Sequence, residues 1–391
     1  MVSVAVTYRV GSLYEFPGKT GLAYLMENLM FSGSTNISPL QHINYIHRIG
    51  GKFNASTYED RTLFFQTVPS NQLALVLWLE SDRMSSLELG DTAFEQARNT
   101  LLEELSQRKA NDPYLESFFS FDGLLYSDFA FNHPLLGSEE DLKNLTLEDV
   151  KNFYSTFYAP NNAVLCIAGN FNRLKARELV SRYFETIPRR KEVAHDFEPW
   201  VYPKKQAIKI YEESLASAPA FHLGFRLSSP SSDDFYALSL LDFILLRGRS
   251  SSITKRLLNR DNKIAFQLSG GIEKRNNRAV FKIFVTVNNM TMADRCLKAI
   301  FSELDRLKTT FLSDGELAKY KNMFRQDYLG RLSTTMEKAV FLSEAYLTLK
   351  NFDDMPLELD KYMKITSSDI VGIVNRYFTQ ENSIILNVII K

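Results

Sequence analysis

Glu27 lies in the run Gly21-Leu-Ala-Tyr24-Leu-Met-Glu27-Asn28-Leu-Met-Phe31-Ser-Gly33. Positions 24 and 28 are four apart and share one face of a helix, with the glutamate beside the second. Histidines at both positions would give His-x-x-Glu-His, a spacing in which two imidazoles hold zinc and the carboxylate acts as general base. Tyr24 and Asn28 stand there instead. A phenol with a pKa near ~10 and a carboxamide are poor zinc donors at neutral pH. The run therefore has the outline of metal-assisted hydrolysis without two of its ligands. The simplest expectation is that Tyr24 and Asn28 fill the vacated space and hydrogen-bond each other or Glu27.

A third ligand would come from another helix. In the segment 91–105, Phe94, Ala97, Leu101 and Leu105 form the inward stripe, and at ~100° per residue Glu104 falls on its edge while Glu103 points away. Glu104 is thus either a carboxylate facing the 20–31 helix or an ordinary partly exposed glutamate. The remaining histidines do not supply ligands. His42 and His47 are five apart and do not stack on one face, and His133, His195 and His222 are scattered as surface or satisfied core residues.

These positions need elements to hold them. The residues 20–31 are apolar nearly all round, which predicts a buried helix. Alternation and β-branched runs predict strands at 2–10, 61–68, 162–169, 207–212, 220–227, 264–272, 280–287 and 383–390. Helical spacing covers 20–31, 39–48, 71–86, 93–109, 115–125, 147–158, 234–246, 291–307, 314–330 and 367–377. Two stretches repeat at an offset of 220: Leu145–Ile167 and Ile365–Asn387 each carry a Thr/Ser-initiated helix, a polar turn and a β-branched strand. A shorter echo pairs Thr7–Ser12 with Gly224–Ser229. A period this long indicates two copies of one domain, 1–190 and 205–391, joined by the proline-containing charged linker 191–204. The fold class expected is α+β, each domain a mostly antiparallel sheet with helices packed on one face.

Composition narrows the function. Forty-six basic and 46 acidic residues cancel, so no overall field points to nucleic acid. No apolar run reaches the ~18 residues of a membrane span. Cys166 and Cys296 are far apart in apolar surroundings and read as buried, reduced thiols. No secretion signal precedes the strand at 2–10. The expected location is cytoplasmic, or periplasmic if an N-terminal signal is missing from this sequence.

The residues resemble the pitrilysin-type inverzincin peptidases, in particular the bacterial processing-peptidase-like branch. Beyond 21–33 the resemblance runs through Ile49-Gly-Gly51-Lys-Phe-Asn54-Ala55-Ser-Thr57 with Asp60-Arg-Thr62, Val68-Pro69 and Leu79-Glu-Ser-Asp82-Arg83. It continues through Arg98, Glu103-Glu104, His133-Pro-Leu-Leu-Gly137 and Phe157-Tyr-Ala-Pro-Asn-Asn162. The resemblance implies two homologous α+β domains, pairing of two chains into a clamshell chamber, and unfolded peptide as substrate. Carried onto this sequence, the zinc ligand positions are Tyr24, Asn28 and Glu104 and the base position is Glu27, all vestigial. A supporting acidic residue would fall at Ala97. Asn54, Ala55 and Arg260 are implied to bind substrate.

Degenerate partners in such heterodimers supply an arginine and a tyrosine from the second domain. Here those positions hold Asn259, with Arg260 one residue late, and Phe266, which cannot donate a hydrogen bond to an oxyanion. The resemblance thus implies a non-catalytic subunit whose partner is an intact His-x-x-Glu-His homologue carrying the zinc, or a second copy of itself. Two alternatives stand beside it: a structural protein derived from the family, and a peptidase with a nonstandard metal site at Tyr24, Asn28 and Glu104.

Overall fold

Strand β1, Val2–Tyr8, is buried along its whole length because both of its faces are covered. Val2 and Val4 enter an apolar core, while Ser3, Ala5 and Thr7 point to the opposite side. The computed structural model describes residues 1–194, 197, 200, 205–259, 263–349 and 352–391. After β1 come α1 (Leu22–Leu29), α2 (Gln41–Arg48), β2 (Lys52–Thr57), β3 (Thr62–Val68), α3 (Leu73–Ser86), α4 (Asp91–Asn111) and α5 (Leu115–Leu125). The first half closes with α6 (Phe129–Asn132), α7 (Glu139–Asn144), α8 (Leu147–Phe157), β4 (Ala163–Gly169) and α9 (Arg173–Phe184). The second half holds β5 (Ala207–Glu213), β6 (Ala220–Leu227), α10 (Asp234–Leu245), α11 (Ser252–Leu258), β7 (Gln267–Arg275) and β8 (Arg278–Thr286). It ends with α12 (Met290–Thr309), α13 (Asp314–Gly330), α14 (Thr335–Thr348), α15 (Glu358–Lys364), α16 (Ser367–Tyr377) and β9 (Ser383–Ile390).

The fold is α+β, as expected, with two largely antiparallel sheets. One has the order β2-β3-β1-β4; the other has β5-β9-β6-β8-β7, in which β5 runs parallel to β9. The strand β2 went unread because Lys52-Phe-Asn-Ala-Ser-Thr57 carries a single large apolar residue. Helices α6, α7, α9, α11, α14 and α15 lie outside the segments read as helical.

The repeat is visible as bonds. Thr146 and Asp149 form a capping box at the start of α8, and Thr366 and Asp369 form the same box on α16. Such a box satisfies two of the N–H groups that a helix start leaves without partners. Asn162 then donates to the carbonyls of Arg9 and Phe157, as Asn382 does to those of Arg226 and Tyr377.

The chain divides into two compact units: residues 1–107, 133–196 and 329–352, and residues 108–132, 197–328 and 353–391. They differ from a division into 1–190 and 205–391 by the exchange of two helix-bearing segments. Much of the linker 191–204 lies outside the described residues.

In the first unit, α3 and α9 pack on the Val2, Val4 and Val68 face of the sheet. The other face takes α14. Ser3 donates to Thr335 at 2.8 Å, the Thr7 and Ser343 hydroxyls are 2.8 Å apart, and Ala5 meets Ala339. Small side chains on both surfaces let the helix approach closely.

The second unit repeats this plan. Phe221, Leu223, Phe225 and Leu227 face α10, α12 and α16. The opposite face of β6 takes α5: a Cβ on Gly224 would lie 2.8 Å from Leu125 and Phe121. Arg226 donates to the Leu124 and Leu125 carbonyls at 2.7 and 2.8 Å, satisfying the open end of α5. A helix on the second face of each sheet is an addition to the one-face packing expected.

His222 sits under α5, 1% exposed, with its Nε2 2.9 Å from Ser117 Oγ and three phenylalanine rings around it. Burial, and then the Lys282 charge, push its pKa down to about 3. In the first unit, burial and then the Arg83 charge bring His42 to about 3, against the contact to Gln66. Both are neutral when folded and ordinary when unfolded, so the unfolded chain binds more protons between about pH 6.5 and 3. Stability is expected to be flat above that window and to fall as pH drops through it. At pH 5 each histidine should cost about 2 kcal/mol relative to pH 7. Urea unfolding at the two pH values, with His222→Gln removing its share of the loss in the second unit, checks this; an unchanged pH slope in that variant would count against it.

Candidate functional site

Helix α1 is held at both ends by buried polar contacts. Its first turn is capped by Glu15, whose two carboxylate oxygens accept the Gly21 and Ala23 N–H groups at 2.8 Å. Burial raises the Glu15 pKa, and the nearby His133, 3.1 Å away, opposes the rise. Gly21 has φ +89° and no room for a Cβ, which would meet Leu142 at 2.7 Å and the Leu136 carbonyl at 2.8 Å.

Beyond its last turn, the loop is tied to α3. Asp82 accepts from Ser34 and from Asn36, the latter at 2.6 Å. Arg83 pairs with Glu80 at 2.5 Å and lies over the rings of Phe31 and Phe64. The Leu79–Arg83 run in the sequence is thus a buried brace for α1.

Leu22, Ala23, Leu25, Met26 and Leu29 are buried, but α1 is not enclosed all round. Tyr24 and Glu27 are half-buried and Asn28 is exposed, because one face of the helix looks toward α4 and β2 rather than into the core. On α4, Phe94, Leu101 and Leu105 are buried, Glu103 is exposed and Glu104 is half-buried. Glu104 thus lies at the edge of the buried stripe and Glu103 points away from it.

The Tyr24 hydroxyl donates to both carboxylate oxygens of Glu104, at 3.1 and 3.2 Å. Asn28 Nδ2 donates to the Tyr24 backbone carbonyl at 3.3 Å. These bonds run from Tyr24 to Glu104 and from Asn28 to its own helix, where bonds to each other or to Glu27 were expected. The phenol is long enough to reach across to α4, and the short amide folds back on its own helix.

Glu27 instead accepts from Thr57 Oγ1, at 2.5 Å, at the end of β2. Burial raises its pKa; bonds from Thr57 oppose that, and the Glu104 charge adds to it. The contact from Thr57 was missed in the sequence, although Thr57 stands in the Asn54–Thr57 run.

This donor set does not fit zinc. The one phenol is engaged as a hydrogen-bond donor to the one carboxylate, and an amide nitrogen has no free lone pair to offer a metal. Among the described residues no group of three or more His, Cys, Asp or Glu side chains is arranged to hold a metal ion.

Asn54 and Ala55 lie on β2, the edge strand of its sheet. Asn54 is exposed, and its Oδ1 accepts the Ala55 N–H at 3.0 Å. In the second unit, Asn259 is exposed at the end of α11 and Phe266 is 55% exposed. Arg260 and His195 lie outside the described residues. His47 is exposed, and His133 is a satisfied partner of Glu15. Cys296 is buried, but Cys166 is only half-buried.

A helix-borne glutamate, a facing carboxylate on α4 and two homologous α+β units define a metallopeptidase-like protein. Residues 1–122 match the family described as insulinase (peptidase family M16), and residues 144–324 match the peptidase M16 inactive domain. The chain belongs to the M16, or pitrilysin-type, peptidase family. It is 27% identical to the zinc protease PqqE of Helicobacter pylori over 390 residues, covering 99% of this chain and 87% of that protein. The crystal structure of a protease from Helicobacter pylori superposes with a TM-score of 0.92 at 26% identity, covering 99% of this chain and 94% of the other. A peptidase M16 inactive domain from Pseudomonas fluorescens shares the fold with a TM-score of 0.86 at 16% identity, covering 99% and 92% of the two chains. No described helix is long and apolar enough to cross a membrane.

Proposed function

We propose that this chain is a non-catalytic peptidase-family subunit. It pairs with an intact His-x-x-Glu-His homologue, which carries the zinc, and helps to hold an extended peptide. The observation that carries this reading is the Tyr24–Glu104 bond: the side chain at one ligand position donates to the carboxylate at another. Peptide would add to the outer edge of β2 as a further strand. The Ala55 N–H, now satisfied locally by Asn54, is a donor an incoming strand can capture by displacing that side chain.

Co-expression with such a homologue tests the pairing. The expected result is a co-purifying complex with zinc in the partner, and an isolated chain that is zinc-free and has no chelator-sensitive cleavage. Stoichiometric zinc in the isolated chain, lost on Glu104→Ala, together with chelator-sensitive cleavage, would overturn the proposal.

A further inference from the structure

Just past the end of α1 lies a cavity of about 10 Å³. It is lined by Phe31, Gly33 and Ser34 of the following loop, by His42 of α2, and by Asp82 and Arg83 of α3. A space of that size takes one water molecule and nothing larger.

Arg83 is 3% exposed. Glu80 accepts from both its Nε and its Nη2, whereas Nη1 is buried without a hydrogen-bond partner among the described residues. Leaving a charged donor unpaired away from water is costly. Glu80 does not line the cavity, so the corner of the guanidinium that reaches it is Nη1.

The acceptors follow from the neighbouring bonds. The Gln66 amide nitrogen donates to Glu80, which fixes the amide and makes Oε1 its acceptor. His42 Nε2, 3.3 Å from that oxygen, therefore carries the ring proton. Burial keeps the ring neutral, and Nδ1 offers a lone pair. Gln66 does not line the cavity, so His42 turns its other edge toward it. Asp82, which accepts from Ser34, Asn36 and Ser86, adds carboxylate oxygens.

The geometry points to a buried water-binding site, in which one water accepts from Arg83 Nη1 and donates to His42 Nδ1 and to Asp82. Three such bonds are the usual complement of an internal water. Ions fit worse: an anion meets the Asp82 carboxylate and a cation meets the Arg83 guanidinium. The bound water ties α2 to α3 across the loop after α1 and completes the brace begun by Glu80 and Arg83. The site stands whether or not the chain acts as a peptidase subunit.

A crystal structure of the full chain that resolves ordered solvent tests it. The expected result is one density peak within about 3.2 Å of both Arg83 Nη1 and His42 Nδ1. In solution, a ¹⁵N-labelled sample should show His42 protonated at Nε2 and bare at Nδ1. Cross-relaxation from water should reach the methyl groups of Ile37 and Leu79, which line the cavity at 5 and 1% exposure, and not those of Leu223 in the second unit. No peak beside Arg83 Nη1, or a proton on Nδ1, overturns the proposal. A peak that soaked bromide replaces, located by its anomalous scattering, also overturns it, because the site would then take an anion.

Discussion

Tyr24→His combined with Asn28→His is expected to convert a chain with negligible zinc into one that binds about one zinc per molecule. The two side chains project from the same face of α1, and Glu104 already faces that spot. The frame should survive the change, because Glu15 caps the helix and the Glu80–Arg83 layer braces the loop after it, both without using either substituted side chain. The Tyr24 oxygen stands 3.1 Å from the Glu104 carboxylate. Neighbouring donors around a tetrahedral zinc with bonds of about 2.0–2.1 Å are separated by about 3.3 Å. An imidazole is shorter than a phenol, so Glu104 closes a small gap rather than being pushed away.

Asn28 is exposed, so metal has an entry path. Ala97 leaves the site without its supporting carboxylate, so affinity should fall roughly 10–100-fold short of a fully supported site. Metal analysis after dialysis against micromolar zinc checks the prediction. The double variant should hold zinc, either single variant should hold far less, and adding Glu104→Ala should abolish binding. A zinc-free double variant that remains folded would show that Glu104 does not stand where a third ligand must.

Local signals in the sequence carried most of the elements and the outline of the site. The Thr146 and Thr366 helix starts and the place of Glu104 on the edge of the inward stripe follow from spacing alone, because helix geometry is fixed over a few residues. What spacing omits is the identity of the surface that an apolar stripe meets. The apolar pattern of 115–125 predicts a helix, but nothing local says that α5 packs on β6 through Gly224, or that α14 packs on β1 through Ser3, Ala5 and Thr7. Those choices depend on matched small residues more than 90 positions apart. A strand poor in large apolar residues is also faint: Lys52–Thr57 carries only Phe53, so no apolar alternation marks it. For that reason β2, which carries Asn54, Ala55 and Thr57, was visible only through resemblance.

Asp122→Ala is expected to destabilise the second unit by about 3–5 kcal/mol, the range for removing one partner of a buried ion pair. Asp122 points from α5 and accepts from Arg275 Nη2 at 2.5 Å and from Lys282 Nζ. Glu273 also contacts both cations, at 2.7 Å each. Two positive and two negative charges thus balance. Arg275, 6% exposed, additionally donates to the Phe131 carbonyl and lies over the Tyr126 ring. Without Asp122, two cations share one carboxylate in a site that water reaches poorly.

The loss should appear first as detachment of α5 and α6 from β7 and β8, read as faster amide exchange across residues 115–132. Asp305→Ala removes an exposed partner of Lys308 and should change stability by under about 0.5 kcal/mol, as surface pairs do. Urea midpoints for the two variants separate burial from charge: a loss below about 1 kcal/mol for Asp122→Ala would mean that apolar contacts alone hold α5 on its sheet. The predicted loss would instead make the ion cluster the fastening of a helix that the first half of the sequence contributes to the second unit.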